Sequence, residues 1–109
     1  MAFSERLASR VKKILVEGED VEERKMFGGL AFMINGHMCC GVIGDDLMLR
    51  LGVDGAHQAI EEPHVRPMDF TGRPSKGFVF VDPAGVKTEA RLRHWVSRAR
   101  EFVHTLPPK

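Results

Sequence analysis

His37, Cys39 and Cys40 are the residues of this chain whose types and spacing come nearest to chemistry. Two apart on a strand, His37 and Cys39 share a face and offer at most two metal ligands, where a structural zinc site needs four and a catalytic one typically three. His57 and His64 would join them only if folding brought them close. Either thiol with His37 could also be read as a nucleophile beside its base, yet the sequence supplies no orienting acid or oxyanion hole. Adjacent cysteines point to opposite faces of a strand, so a bond between Cys39 and Cys40 is not expected. The plainer reading is two small apolar residues in a core and a histidine near a turn.

Gly28-Gly29 lacks both the GxGxxG spacing of a dinucleotide fold and the Gly-Lys-Ser/Thr ending of a P-loop. A bulge, a kink or the close approach of another backbone accounts for the pair better than a phosphate does. Asp45-Asp46 falls in a turn, where Asp is favoured for backbone reasons. Near the C-terminus, Arg91 and Arg98 border one side of an apolar helical stripe and Arg93 and Arg100 the other. That pattern suits phosphates, and equally suits arginine stems lying along a core with their heads in water. Arg66, Arg73 and Lys76 bracket Thr71-Gly72-Arg73-Pro74, a basic loop that is the best candidate for meeting an acidic ligand or protein. The alternative enzyme reading is a small-molecule or metal-dependent site around His37, Cys39 and this 66–76 loop.

The elements that must position these residues follow from periodicity. Phe3, Leu7, Ala8, Val11, Ile14 and Leu15 recur at helical spacing, with Ser4 as N-cap and Gly18 as stop. Residues 17–23 hold five acids and read as a solvated connection. Leu30, Phe32 and Ile34 alternate with Ala31 and Met33, and Asn35-Gly36 supplies the two positive-φ residues of a tight hairpin. Returning strands follow over 37–43 and 47–51, then a short helix over 53–60. Two more strands, 66–70 and 78–81, flank the basic loop, and Leu92, Trp95, Val96, Ala99, Phe102, Val103 and Leu106 form a last helical stripe. The expected order is α-β-β-β-α-β-β-α: one two-layer α+β domain over 1–109, with a five-stranded antiparallel sheet and helices on one face. The uncovered sheet face or edge would then be where a partner docks.

Composition narrows the classes. Sixteen Lys and Arg against fifteen Asp and Glu leave no global field for polyanions, so direct nucleic-acid binding would need a local patch. The longest apolar runs, such as Leu30-Ala31-Phe32-Met33-Ile34, fall far short of the roughly 20 residues of a membrane-spanning helix. Charges at Glu5, Arg6, Arg10, Lys12 and Lys13 interrupt any signal-peptide core, so a cytoplasmic location is expected, and two unpaired thiols agree with it.

Lys25-Met26-Phe27-Gly28-Gly29-Leu30-Ala31-Phe32 followed by Asn35-Gly36-His37-Met38 resembles the N-terminal domain of the TfoX/Sxy family. Segments 44–50 and 66–74 and the closing Leu106-Pro107-Pro108-Lys109 are similar to its short stand-alone members. The resemblance implies a fold similar to that of type III secretion chaperones, with Lys25 to Gly29 as a structural signature opening the sheet. It also implies a non-catalytic regulatory module, since the named members control natural competence with the CRP transcription activator. Those regulators carry a second helical domain and this chain stops at Lys109, so a stand-alone version is expected. The family offers no catalytic residues and no cofactor to carry over. A protein partner is expected, with a second copy of the chain among the candidates.

Overall fold

The computed structural model describes residues 3–17, 20–26, 28–70 and 73–107. Along it run α1 (Glu5–Leu15), β1 (Glu22–Met26), β2 (Gly29–Ile34), β3 (His37–Ile43), β4 (Asp46–Arg50), α2 (Gly52–Ala59), β5 (Val65–Phe70), β6 (Arg73–Val81), a 3-10 turn (Pro83–Val86) and α3 (Glu89–His104). The strands make one antiparallel sheet in the order β1-β2-β3-β4-β6-β5. Ser4 caps α1 by accepting from the Leu7 N–H at 3.2 Å, and Thr88 caps α3 through Arg91 in the same way. Gly18, expected to stop the first helix, lies outside the described residues.

The sheet has six strands rather than five. The added one, β1, comes from the end of the acidic segment that reads as a solvated connection. Glu22, Glu23, Arg24 and Lys25 are all exposed, so no alternation of apolar and polar residues betrays the strand. It pairs only with β2, along Glu22↔Met33 to Met26↔Gly29. The observed order is therefore α-β-β-β-β-α-β-β-α, with the 3-10 turn before the last helix.

A second correction concerns the expected loop over 71–77, since the 66–70 strand is present as β5. Strand β6 begins at Arg73, and Asp69↔Pro74 and Phe70↔Arg73 pair across a hairpin, with a register shift between Pro67 and Asp69. Strand pairing thus extends into a stretch whose Gly and Pro content reads as loop, because edge strands and bulges accommodate such residues.

One face of the sheet supplies Phe32, Ile34, Cys40, Val42, Leu47, Leu49, Val79 and Val81 to a core shared with Leu7, Val11, Ile14 and Leu15 of α1, Ala56 and Ala59 of α2, and Leu92, Trp95, Val96, Ala99 and Val103 of α3. Asn35 and Gly36 adopt φ of 54° and 82°, the left-handed pair a two-residue hairpin demands, and so fix the β2–β3 register.

Candidate interaction surface

Residues alternating with that core point to the other side of the sheet. Met48, Met68 and Phe80 form a second buried cluster there, with Met38, Ile43 and Phe78 half-buried against it. Met33 is half-buried and pairs with Met38 across β2 and β3. Met48 lies across Gly41, where a Cβ would stand 3.0 Å from its methyl carbon, so the missing side chain leaves room for the thioether to lie flat. The result is a methionine-rich face to which no helix among the described residues contributes. Unbranched, polarizable methionines repack readily against differing shapes, which suits a docking surface better than a fixed catalytic pocket.

Arg66 is the charged residue that organises this face. It stands opposite Phe80 in the β5–β6 register, its guanidinium 5.0 Å from the ring centre, and it donates to the carboxylates of both Asp46 and Asp82. The hydrogen bond it donates to Asp46, with the nearby charges of Asp46 and Asp82, raises its already high pKa, so the clamp stays charged. Arg66 thus ties β5 to β4 and to the end of β6, and is occupied within the protein. The side chains of Arg73 and Lys76, which accompany it in the sequence reading, lie outside the described part of the structure, as do Thr71 and Gly72. At the other end of the face, Arg50 sits 5.8 Å from the Phe78 ring and 5.9 Å from that of Phe102.

The residues with nominal chemistry are not brought together. A register shift after Phe32 pairs it with Cys40 but Met33 with Met38, leaving Cys39 as the extra residue of a bulge. Both cysteines are fully buried in the helix-side core, instead of pointing to opposite faces as an unbroken strand would have them. Hydrogen bonding with Cys39, and then burial, push the Cys40 thiol well above the usual range, with Arg100 pulling the other way. A protonated, inaccessible thiol is a poor nucleophile. A thiol reagent at mildly alkaline pH should therefore label neither cysteine in the folded chain and both once denaturant is added; rapid native labelling of Cys40 would contradict this placement.

His37 is buried and donates from Nε2 to the Pro107 carbonyl at 2.6 Å, strapping the segment after α3 to the start of β3. Its Nδ1 is buried without a hydrogen-bond partner among the described residues. Cys39 lies under the helices and Arg66 on the opposite sheet face, so the alternative enzyme site is divided by the sheet. Among the described residues, no three His, Cys, Asp or Glu side chains converge as metal ligands would.

Two of the arginines of α3, Arg93 and Arg98, are engaged in ion pairs. Arg93 donates to both oxygens of Glu17 at 2.8 and 2.9 Å, which holds the Glu17 carboxyl below its usual pKa. Arg98 reaches Glu62 at 3.0 Å and covers the Trp95 ring at 4.8 Å. These are stems laid along a core with paired heads. No helix among the described residues is long and apolar enough to cross a membrane.

The sequence predicts a partner on an uncovered sheet face or edge but marks none of Met33, Met38, Met48, Met68, Ile43, Phe78 and Phe80 as residues of that face. Its signal is visible in β2 and β4, where both phases of the alternation are apolar, the mark of a strand buried on two sides. In the signature segment, Phe27 lies outside the described residues; Lys25 and Met26 belong to β1, Gly28 has φ +74° and Gly29 opens β2.

Comparison with known proteins finds the model of the TfoX N-terminal domain over residues 13–103, a stretch that includes every strand of the sheet. No curated protein and no solved structure matches the chain.

Proposed function

The chain belongs to the TfoX N-terminal domain family, and from that premise we propose that it is a non-catalytic protein-interaction module whose methionine-rich sheet face takes a second copy of the chain. The setting proposed is regulation, of transcription or of competence, as for the named members of the family. The observation that carries the docking site is the half-buried apolar rim of Met33, Met38, Ile43 and Phe78, set over the buried Met48, Met68 and Phe80 and lying between two blunted sheet edges. Strand β1 presents four consecutive charged residues at one edge, and β5 places Pro67 at the other. Charge and proline at edges oppose strand-to-strand addition, which leaves the face as the apolar contact area.

Electrostatics favour a second copy as the occupant. Among the described residues around the face Arg66 is paired with Asp46 and Arg24 with Glu22, Arg50 lies against the Phe78 and Phe102 rings, and the whole chain carries only +1. Two copies approach with little like-charge repulsion, whereas a strongly charged partner finds only Arg50 unpaired by a carboxylate among the described residues of this face.

Sedimentation equilibrium tests the reading. The wild-type chain is expected to dimerise with rising concentration, and Met38→Glu or Phe78→Glu to remain monomeric with unchanged helical circular dichroism. A wild-type chain that stays monomeric up to its solubility limit, or a dimer indifferent to both substitutions, would overturn the assignment of this face.

A further inference from the structure

Beyond the sheet face, at one end of the molecule, the first turns of α1, the β3–β4 turn and the 3-10 turn enclose a groove of about 430 Å³. That volume lies in the range of roughly 300–1,000 Å³ typical of small-molecule sites. Arg6 and Arg10, one helical turn apart, stand on the α1 wall, and Lys87 on the opposite one. Pro83 supplies apolar surface between them over the buried Leu7 and Val86, and Asp45 lines the groove as well.

Three cations without a carboxylate partner among the described residues, Arg6, Arg10 and Lys87, line this one groove. Lys12, Arg24, Arg66, Arg93 and Arg98 each have a carboxylate partner. Like charges four apart on a helix oppose the helix unless something neutralises them. The Ser4 hydroxyl is already engaged by the Leu7 N–H, so the side-chain cations rather than the helix end set the preference for an anion.

We propose that this groove binds a small phosphate monoester with an apolar, hydroxyl- or amine-bearing body, of the size of a nucleoside monophosphate. Arg10 and Arg6 meet the phosphate from one side and Lys87 from the other, where charge-assisted bonds are the strong ones. The apolar body rests on Pro83, over the buried Leu7 and Val86. Asp45 accepts from a hydroxyl or amine of that body and disfavours a longer polyphosphate. Arg6 and Arg10 precede residue 13, so the groove is not carried by the family match.

Titration of the full chain with adenosine monophosphate, followed by amide chemical shifts at low salt, tests the site. Saturable shifts are expected at Arg6, Arg10, Asp45 and Lys87, with inorganic phosphate and adenosine each binding more weakly. Arg10→Gln and Lys87→Gln should each weaken binding about tenfold or more, while Arg91→Gln, outside the groove, leaves it unchanged. Absence of saturable shifts, shifts that map elsewhere, or inorganic phosphate binding as tightly as the nucleotide would overturn the proposal. So would a DNA duplex that binds through Arg10 and Lys87 while the nucleotide does not, since the groove would then serve a nucleic acid.

Discussion

Phe32→Ala should remove about 3–5 kcal/mol of stability, the usual cost of emptying a phenylalanine-sized space in a packed core. Phe32 is the largest side chain with no exposed surface, and it sits on β2 opposite Cys40, where the bulge turns two cysteines under the helices. Helices α1 and α3 meet the sheet at this core, so its walls are rigid elements that cannot simply close over the gap. For a domain of this size each kcal/mol lowers the melting temperature by roughly 4–8 °C, so a fall of about 15–30 °C is expected by thermal circular dichroism. Phe32→Leu, which keeps most of the volume, should lose only about 1 kcal/mol. A Phe32→Ala variant that melts within a few degrees of wild type would mean that this residue does not close the core. Total stabilities of such domains are about 5–15 kcal/mol, so the substitution removes a large part of the margin.

What a sequence can disclose about this fold depends on how local the cause is. The capped helices and the Asn35-Gly36 hairpin are written in neighbouring residues, and their expected places agree with the structure to within a few positions. Strand β1 is not legible because Glu22, Glu23, Arg24 and Lys25 are all exposed; it exists as the partner of β2 and its four charged residues follow no period. The orientation of Cys39 and Cys40 depends on a bulge, which belongs to the pairing of two strands and not to either alone. Arg93 and Arg98 of α3 are ambiguous in the sequence for a related reason. Their choice between phosphate and core edge is decided by Glu17 and Glu62, which lie 76 and 36 residues away in the chain. Arg66 likewise reads as a loop cation until folding sets Asp46 and Asp82 around it. The methionine face is the intermediate case: two-sided burial shows in the composition of β2 and β4, but which side the helices pack on does not.

The Gly28-Gly29 pair lets local and tertiary causes be separated by experiment. Gly28 has φ +74°, yet an added Cβ would have nothing within 4 Å, so Gly28→Ala should lose only the roughly 1–2 kcal/mol of a left-handed backbone. Gly29 is constrained by what lies above it. A Cβ there would fall against the Val42 carbonyl oxygen and stand 2.8 Å from Ile43 Cγ1. The Val42 oxygen belongs to the backbone of the neighbouring strand and cannot rotate aside, so β2 and β3 must separate at the sheet opening. Gly29→Ala is therefore expected to lose about 3 kcal/mol, at the upper end of overpacking costs, with the melting temperature falling by about 12–24 °C. Urea titrations of the two variants decide the point, since the midpoint should fall much further for Gly29→Ala at similar m-value. Equal losses would put backbone conformation ahead of close approach as the reason for both glycines. The expected inequality would instead trace the second glycine to the neighbouring strand, making it a packing requirement that no turn preference at Gly28 can supply.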